Sequence, residues 1–495
     1  MSTDRAVLAR AAEVTAVALQ PSLTLDVATR WSQLDPASVE AHRAVAKAAL
    51  ELFEIEQSSA HYRVVLDSSP RGTDAEFATL DSELAVSDNV HGARQLADQL
   101  ALYFPGSPAA LRLQAETALR ADDPAAAVRS FTALAALGTA PDAETTMSLW
   151  RARILSGDVD APLAESQARL ERSPTAENRL DNALLLLAAQ QNAAARAQLQ
   201  TLTEDPAAAP AAQHLLGLVD FEEGRLDEAG SHFAELVVTG KFLDDAIYYL
   251  GLIAERHQDL ERALRLYAQV QEGDNAVPAL LRAAAILRAH GAAPAAEDLL
   301  DRLVEEVPAR APEILAARSR MYADAGEPAR AATVLDQAMR QYPDSALLQY
   351  AAASLDDERG HVSAALHELE AVARRRPDDP AALNAYGYTL ADHNRQLRLA
   401  RSLIERAYAC APKNAAILDS YGWVLFRQGR GEDALTYLNA AYADDRGGDI
   451  AAHLGEVLWH LGRRSDADRV WSEGSRADAD NPLLKATLVR LHASN

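Results

Sequence analysis

The glycine-rich stretch 429–434, GRGEDA, has the spacing of a loop that binds the pyrophosphate of a dinucleotide. That chemistry requires a β-strand before the first glycine and a helix after the loop. The residues before Gly429 instead repeat their apolar positions every three to four residues, which indicates a helix. We therefore expect a turn between two helices here, and no nucleotide cofactor.

Two histidine arrangements resemble fragments of metal sites. His367-Glu368 begins the pattern of a zinc-protease helix, but the required second histidine four residues after the first is absent. His453 and His460 lie seven residues apart, near enough in phase to share a helix face, without a cysteine or carboxylate at ligand spacing. We expect packing or surface roles for both, and no metal site.

The sequence offers no clear nucleophile or acid–base pair. The single cysteine, Cys410, precedes Pro412 and is expected to be a small core residue. One cysteine also excludes an intrachain disulfide and a multi-cysteine zinc site. The carboxylate pairs Asp356-Asp357 and Asp444-Asp445 fall at helix ends or turns, where solvated charge is the ordinary explanation. The chain has neither a phosphate-binding loop nor a G-x-S-x-G motif, so the sequence favours a protein that is not an enzyme.

Charge and composition narrow the kinds of partner. The 495 residues include 72 acidic and 48 basic side chains, a formal net charge of −24, which disfavours nucleic acid and anionic membrane surfaces. The longest apolar runs are about half of what spans a bilayer. The first twenty residues lack the apolar core and cleavage site of a signal peptide. Abundant alanine with only 5% aromatic residues favours closely packed helices.

A repeat of about 34 residues organises the chain. Each copy has a small residue, a glycine seven residues later, then an alanine and a large apolar residue. The small residue permits close helix approach, and glycine adopts the positive φ that ends a helix. The copies are weakest before residue 110 and between 141 and 207. The clearest copies place these residues at Gly217, Gly224, Ala229 and Phe233; at Gly422, Gly429, Ala434 and Leu438; and at Gly455, Gly462, Ala467 and Trp471.

This spacing resembles the tetratricopeptide repeat. The resemblance implies an all-α, right-handed superhelix, an α-solenoid of about fourteen helix-turn-helix units in which each unit packs only on its neighbours. We divide this continuous solenoid into divergent units at 1–209, central units at 210–379, and C-terminal units at 380–495. A capping helix is expected near Asn481–His492.

In this fold the first helices of successive units line the concave surface, and the resemblance therefore implies which side chains face a partner. Large aromatic residues flanked by arginine and carboxylates are usual anchors of protein interfaces. The alternative is packing against the helix of the next unit. Trp471 matches a core position. The expected exposed lining residues are Asn384, Tyr388, Asp419, Trp423, Phe426, Arg427, Glu456, Trp459 and His460, and a secondary patch comprises His214, Phe221, Tyr248 and Tyr350.

The lysine content argues against one known binding mode of the fold. Some co-chaperones built from these repeats clamp the C-terminal carboxylate of a peptide with lysine and asparagine side chains. This chain has four lysines, none of them on the expected lining. A carboxylate clamp is therefore not expected.

The stretch 381–471, which includes LNAYGYTLAD, ILDSYGWVLFRQGRGEDALTYLNAAYAD and HLGEVLWHLGRRSDADRVW, resembles one proteobacterial family more closely. These are outer-membrane tetratricopeptide lipoproteins that face the periplasm. At least one member binds a carboxyl-terminal processing protease and helps to deliver cell-wall hydrolases for degradation. The resemblance implies a non-catalytic adaptor with these protein partners, without cofactors, associated with the outer membrane on its periplasmic side.

The N-terminus departs from that family. Its members begin with a signal peptide that ends in a lipid-modified cysteine, whereas this sequence has no cysteine before Cys410. A lipid anchor encoded upstream of Met1 would reconcile the two, and the internal-looking helix at 6–19 favours this explanation. The alternative is a cytoplasmic adaptor or co-chaperone that uses the same groove.

Overall fold

The computed structural model describes residues 4–87, 89–138, 142–478 and 481–492. Within these ranges the chain forms twenty-nine α-helices and one 3-10 helix, and no strand, which confirms the all-α prediction. The first fifteen helices are α1 (Arg5–Val17), α2 (Pro21–Leu34), α3 (Val39–Glu51), α4 (Ile55–Ser68), α5 (Thr73–Ala85), α6 (Val90–Tyr103), α7 (Pro108–Arg120), α8 (Pro124–Ala135), α9 (Ala143–Leu155), α10 (Asp160–Arg172), α11 (Ala176–Ala188), α12 (Asn192–Leu202), α13 (Ala209–Glu222), α14 (Leu226–Thr239) and α15 (Leu243–Arg256). The remaining helices are α16 (Leu260–Tyr267), α17 (Ala276–Ala289), α18 (Ala293–Glu306), the 3-10 helix (Pro308–Arg310), α19 (Ala311–Asp324), α20 (Pro328–Gln341), α21 (Ala346–Glu358), α22 (Val362–Arg375), α23 (Pro380–Asp392), α24 (Leu397–Cys410), α25 (Ala415–Arg427), α26 (Gly431–Asp444), α27 (Gly448–His460), α28 (Arg464–Ala477) and α29 (Pro482–His492).

The helices follow one another as fourteen helix-turn-helix units, α1–α2 through α27–α28, with α29 after the last. In thirteen of the fourteen turns within a unit, at least one described residue has a positive φ, and the α23–α24 turn has a second one at Gln396; the remaining turn, between α5 and α6, includes a residue outside the described ranges. Several of these residues are not glycine, which explains why the sequence repeat is weakest in the N-terminal half. The thirteen turn residues are Leu19, Phe53, Asp122, Gly157, Gln190, Gly224, Gln258, Gly291, Gly326, Gly360, Asn394, Gly429 and Gly462.

The α25–α26 unit shows how the sequence specifies one hairpin. The side chain of Asn414 accepts a hydrogen bond from the Ile417 amide at 3.1 Å and caps the start of α25. Gly429, with φ of 81°, ends it in the left-handed conformation that glycine adopts without strain. Gly422 brings α25 against α26, because a Cβ at this position would lie 2.5 Å from Leu438 Cγ. The small and large residues of the repeat are therefore one packing contact.

Contacts group the chain into two compact units. The first comprises Met1–Ala126 and Tyr342–Asn495, and the second comprises Ala127–Gln341. In the first unit, polar contacts join the two parts of the chain. Ser22 donates from its amide and its hydroxyl to the carboxylate of Asp344, at 3.0 and 2.7 Å, and Arg376 donates to the Glu51 carbonyl at 2.9 Å. The N-terminal and C-terminal helices of this unit thus contact each other.

The largest apolar core of the first unit runs through the C-terminal helices α21 to α29. Trp471 is only 2% exposed within it, which confirms the predicted core position. Cys410, by contrast, is exposed at the end of α24, so the expectation of a core cysteine is wrong. Ala407 and Ala411 continue the buried side of the chain there, and they leave Cys410 on the solvent side.

The second unit packs in the same way. Gly251 leaves room for the ring of Tyr267, from which an added Cβ would lie 2.5 Å away. Tyr267 is buried, and its hydroxyl donates to Glu255 at 2.8 Å. Of the helices that the structure describes in either unit, none is long and apolar enough to cross a lipid bilayer.

Candidate partner-binding site

A groove of about 360 Å³ opens along the first helices of the last three units. Helices α23, α25 and α27 form its walls, and the chain segments before α27 and before α29 close one end. Three residues of the predicted lining, Asn384, Tyr388 and Asp419, lie together in it. Among the described residues, the lining consists of Asn384, Ala385, Tyr388, Ala416, Asp419, Ser420, Asp445, Gly447, Gly448, Asp449, Ile450, His453, Asp478 and Asn481.

The closed end of the groove is held by short-range contacts. Asn481 caps α29 by accepting from the Leu484 amide at 2.9 Å, and it donates to Asp449 and to Asp478, both at 3.0 Å. Gly448 permits this arrangement, since an added Cβ would overlap the Asn481 side chain. Gly448, the first residue of α27, therefore allows the start of α29 to lie against the groove.

A buried ion pair forms the base of the groove. His453 Nδ1 lies 2.7 Å from Asp419 Oδ2, and the two residues are 2% and 6% exposed. Burial by itself lowers the pKa of His453, but Asp419, with Asp392 and Asp449 nearby, raises it above the ordinary value. The raised pKa widens the pH range over which the ring is protonated and can donate to Asp419. The hydroxyl of Tyr388 lies 3.5 Å from His453 Nε2.

Beside this pair, two buried oxygens have no hydrogen-bond partner among the described residues. They are Oδ1 of Asp419 and Oδ1 of Asn384. The hydroxyl of Tyr350, in the preceding unit, is likewise buried and unpaired. All three residues stand ten positions before the turn residue of their own units, and they therefore occupy equivalent places in successive first helices. Buried polar atoms in proteins are nearly always paired, so three unpaired atoms at equivalent positions are unusual.

The rim of the groove is acidic. Asp445, Asp449 and Asp478 are exposed, and no lysine or arginine is found among the described residues that line the groove. Burial and the carboxylates around it, Asp392 and Asp419 among them, raise the pKa of Tyr388 well above its ordinary value, so its hydroxyl stays neutral. The groove can accept a cation or a hydrogen-bond donor, and it repels anions.

The carboxylates that line the groove are spread along it. In the described parts of the chain, no three histidine, cysteine, aspartate or glutamate side chains converge as ligands. Divalent cations require several such oxygens at close range. The arrangement therefore suits a larger, hydrogen-bonding cation better than a bare ion.

Three residues expected on the exposed lining are buried, so the prediction of their exposure is wrong. Asp419 and Trp423 are 6% and 4% exposed because α27 of the next unit covers them. The Trp423 ring stacks on His453 at 4.2 Å, and its Nε1 donates to Asp392 at 3.1 Å. Trp423 therefore follows the alternative prediction, which was packing against the helix of the next unit.

Glu456 is the third buried residue, at 5% exposed. Helix α29 covers it, and Arg490 of that helix donates to both of its carboxylate oxygens, at 2.9 and 2.6 Å. The sequence alone could not predict this contact, because it depends on how the terminal helix turns back over α27.

The other four predicted lining residues do not line the groove, and they lie near the ends of α25 and α27. Phe426 contacts both Trp423 and His460, with ring centroids 5.3 and 5.4 Å apart. Trp459 is half-buried against Trp471, and His460 is exposed. The remaining member, Arg427, is half-buried and lies over the Trp423 ring. We call Phe426, Trp459 and His460 the aromatic edge, and its partner role stays a prediction.

The residues of the secondary patch are divided between the two compact units described above, 1–126 with 342–495 and 127–341. In the second unit, Phe221 and Tyr248 both make edge contacts with Tyr249, at 5.3 and 5.6 Å. His214 stacks on Phe242 at 4.5 Å, and burial lowers its pKa against the opposing charge of Asp245. Tyr350 belongs to the first unit, so the predicted group of four does not form a patch within one unit.

Sequence reasoning missed the acidic rim and assigned His453 only a packing or surface role. The sequence indicates only a solvated turn at Asp445. In the structure its carboxylate accepts a hydrogen bond from the Gly447 amide at 2.7 Å and lines the groove. One available signal was positional. Asn384 and Asp419 recur at one place in the repeat, where a polar side chain in a buried stripe predicts a binding function.

Sequence comparison identifies repeats in three parts of the chain. Family models described as tetratricopeptide repeat match residues 180–243, 322–387 and 420–467. The TPR repeat-containing protein PA4667 of Pseudomonas aeruginosa is 34% identical over 214 residues, which are 43% of this chain and 36% of that protein. The chain therefore matches only about a third of the length of this curated relative.

The solved structures that match the chain are more distant in sequence. Yeast Tom70 is 14% identical, with 92% of this chain and 95% of that chain covered and a TM-score of 0.39. TTC0263, a thermophilic TPR protein of Thermus thermophilus, is 19% identical, with 37% and 97% covered and a TM-score of 0.33. The repeat matches within the sequence, taken with the helical hairpins at the same residues, show that the chain contains tetratricopeptide repeats.

Proposed function

We propose that this protein is a non-catalytic scaffold that holds a partner protein against its C-terminal units. The observation that carries the proposal is the groove along α23, α25 and α27, with a buried, incompletely paired Asp419 at its base. A stable protein would not ordinarily retain an unpaired buried carboxylate oxygen unless another group meets it. The neighbouring aromatic edge of Phe426 and Trp459 offers the type of side chain that anchors protein interfaces.

The partner that we propose is a carboxyl-terminal processing protease, brought together with its cell-wall hydrolase substrates. The resemblance of residues 381–471 to periplasmic outer-membrane lipoproteins supports this identity, and the 34% identity to PA4667 supports a bacterial relative with the same repeats. The proposed location is accordingly the periplasmic side of the outer membrane. This adaptor role assigns proteolysis to the partner and binding to the scaffold.

The test reconstitutes the three proteins. Purified protein is mixed with the processing protease and a cell-wall hydrolase of the source bacterium, and hydrolase degradation is followed over time. We expect a complex on size-exclusion chromatography and degradation at least several-fold faster than with the protease alone. A folded protein that neither binds the protease nor changes the degradation rate would contradict the adaptor role. In a pull-down from an extract of the source bacterium, capture of cytoplasmic chaperones in place of the protease would favour the cytoplasmic alternative.

A further inference from the structure

We propose that the groove receives a single arginine or lysine side chain from an extended segment of the partner protein. This inference rests on the proposed scaffold function and gives its binding site a chemistry. The cationic head group would lie against Asp419 and Asn384, and the backbone of the segment would lie between the acidic rim residues. The observations that favour a cation come from the base, the rim and the dimensions of the groove.

Two acceptor oxygens at the base of the groove lack a donor among the described residues. Oδ1 of Asp419 and Oδ1 of Asn384 are acceptors without a partner in the described structure, while the second oxygen of Asp419 is already paired with His453. A guanidinium presents five N–H donors in a plane and an ammonium presents three. Either group would supply the donors that this base lacks, and a hydrogen bond to a carboxylate from a cation is among the stronger kinds.

The rim selects the same sign of charge. Asp445, Asp449 and Asp478 surround the opening, and the one basic group that lines the groove in the described structure, His453, is neutralised by Asp419. Arg446, the nearest arginine in sequence, lies 3.6 Å from Glu473 rather than in the groove. The rim therefore attracts a cation before contact and repels a carboxylate terminus.

The dimensions of the groove favour a side chain with adjoining backbone. Its volume of about 360 Å³ is close to the lower end of small-molecule pockets and far too small for a folded domain. The lining includes three small residues, Ala385, Ala416 and Gly447. Their small size leaves room for an extended chain to pass over the opening. Since the carboxylates do not converge as metal ligands, a divalent ion fits the groove less well.

The experiment compares two peptides by isothermal titration calorimetry against the full chain. One is acetyl-Gly-Ala-Arg-Ala-Gly-amide, and the other carries citrulline, which keeps the shape of arginine and loses its charge. We expect the arginine peptide to bind at least about tenfold more tightly, because a charged partner is replaced by a neutral one. The preference should weaken as salt is added, since the rim charges are exposed.

Variants locate the binding. Asp419→Asn and Asp449→Asn are each expected to weaken the arginine peptide about tenfold or more, whereas Asp433→Asn should leave it unchanged. Asp433 is a matched control because it lies on the second helix α26, outside the groove, and pairs with Arg430 at 2.7 Å. Asp449 gives an independent result if the change at Asp419 disturbs the ion pair. Circular dichroism verifies that each variant is folded.

Several outcomes would overturn the inference. These are no binding of the arginine peptide, equal binding of both peptides, or binding that survives both groove substitutions. Spermidine or Ca²⁺ that binds while the peptide does not would assign the groove to a free cation instead. Protease capture separates this inference from the scaffold function. Capture unchanged in Asp419→Asn and Asp449→Asn rejects the groove as the partner site, whereas peptide binding without any capture rejects the scaffold function.

Discussion

Nδ1 of His453 lies 2.7 Å from Oδ2 of Asp419, and this buried contact joins the first helices of two successive units. Asp419 holds the neighbouring repeat through Oδ2, and it also lines the groove in which we propose that a partner binds. A substitution of Asp419 that removes only the charge is therefore expected to affect stability differently from one that also removes the hydrogen-bond acceptor.

We expect Asp419→Ala to destabilise the C-terminal units by about 3–5 kcal/mol, because it leaves the buried His453 without its counter-charge. Asp419→Asn should cost less, since an amide oxygen still accepts from the imidazole. Repeat arrays can unfold in parts, so hydrogen exchange of the α25 and α27 amides is the appropriate measurement. Equal protection in the alanine variant and the wild type would show that the pair contributes nothing to local stability.

The pKa of His453 predicts a pH dependence of the same units. Because the folded pKa is raised above the unfolded value of about 6.5, the stabilisation is fully present below that pH. It is lost as the pH rises through the folded pKa, when the imidazole releases its proton beside Asp419, Asp392 and Asp449. Tyr388 stays neutral over this range because its own pKa is raised.

The measurement is the free energy of local opening at pH 6 and at pH 8.5, in wild type and in His453→Gln. The difference between the two proteins should be larger at pH 6 and should shrink at pH 8.5. The glutamine variant is the control, because it removes the titrating group while keeping a polar side chain of similar length. A difference that grows with pH would show that the histidine is neutral in the folded protein.

Trp423 is expected to act through the core. Trp423→Ala should destabilise the C-terminal units by about 3–5 kcal/mol, since it removes a buried ring that stacks on His453 and binds Asp392. Trp459→Ala, a change to a half-buried tryptophan, should cost less and leave α25 protected. Urea unfolding of each variant measures this difference. Similar midpoints for both variants would contradict the assignment of Trp423 to the core.

The different outcomes for the two tryptophans show what sequence periodicity can and cannot predict. The periodicity correctly predicted the all-α fold, the fourteen hairpins and the core position of Trp471, because these follow from contacts inside one unit or its repeat. Trp423 and Glu456 are covered by α27 and α29, and this depends on how far each neighbouring helix extends over the first helices. The sequence does not predict the acidic rim, because Asp445 and Asp449 near the start of α27 meet Asp478, which follows α28, only in the folded chain.

The close approach of Gly422 to Leu438 gives a test of the repeat packing itself. Gly422→Ala places a methyl group 2.5 Å from Leu438 Cγ, so α25 and α26 must separate or Leu438 must leave its rotamer. Overpacking of this kind costs about 1–3 kcal/mol. Combining Gly422→Ala with Leu438→Ala should recover part of that loss, because the second change removes the atoms in conflict, and the two effects will then be non-additive.

Gly429→Ala is the matched control: its turn position has open space and a φ of 81° that strains alanine, so Leu438→Ala should not rescue it. Thermal or urea unfolding of the two singles and two doubles measures the coupling, and full additivity for the Gly422 pair would refute the contact on which the hairpin is built.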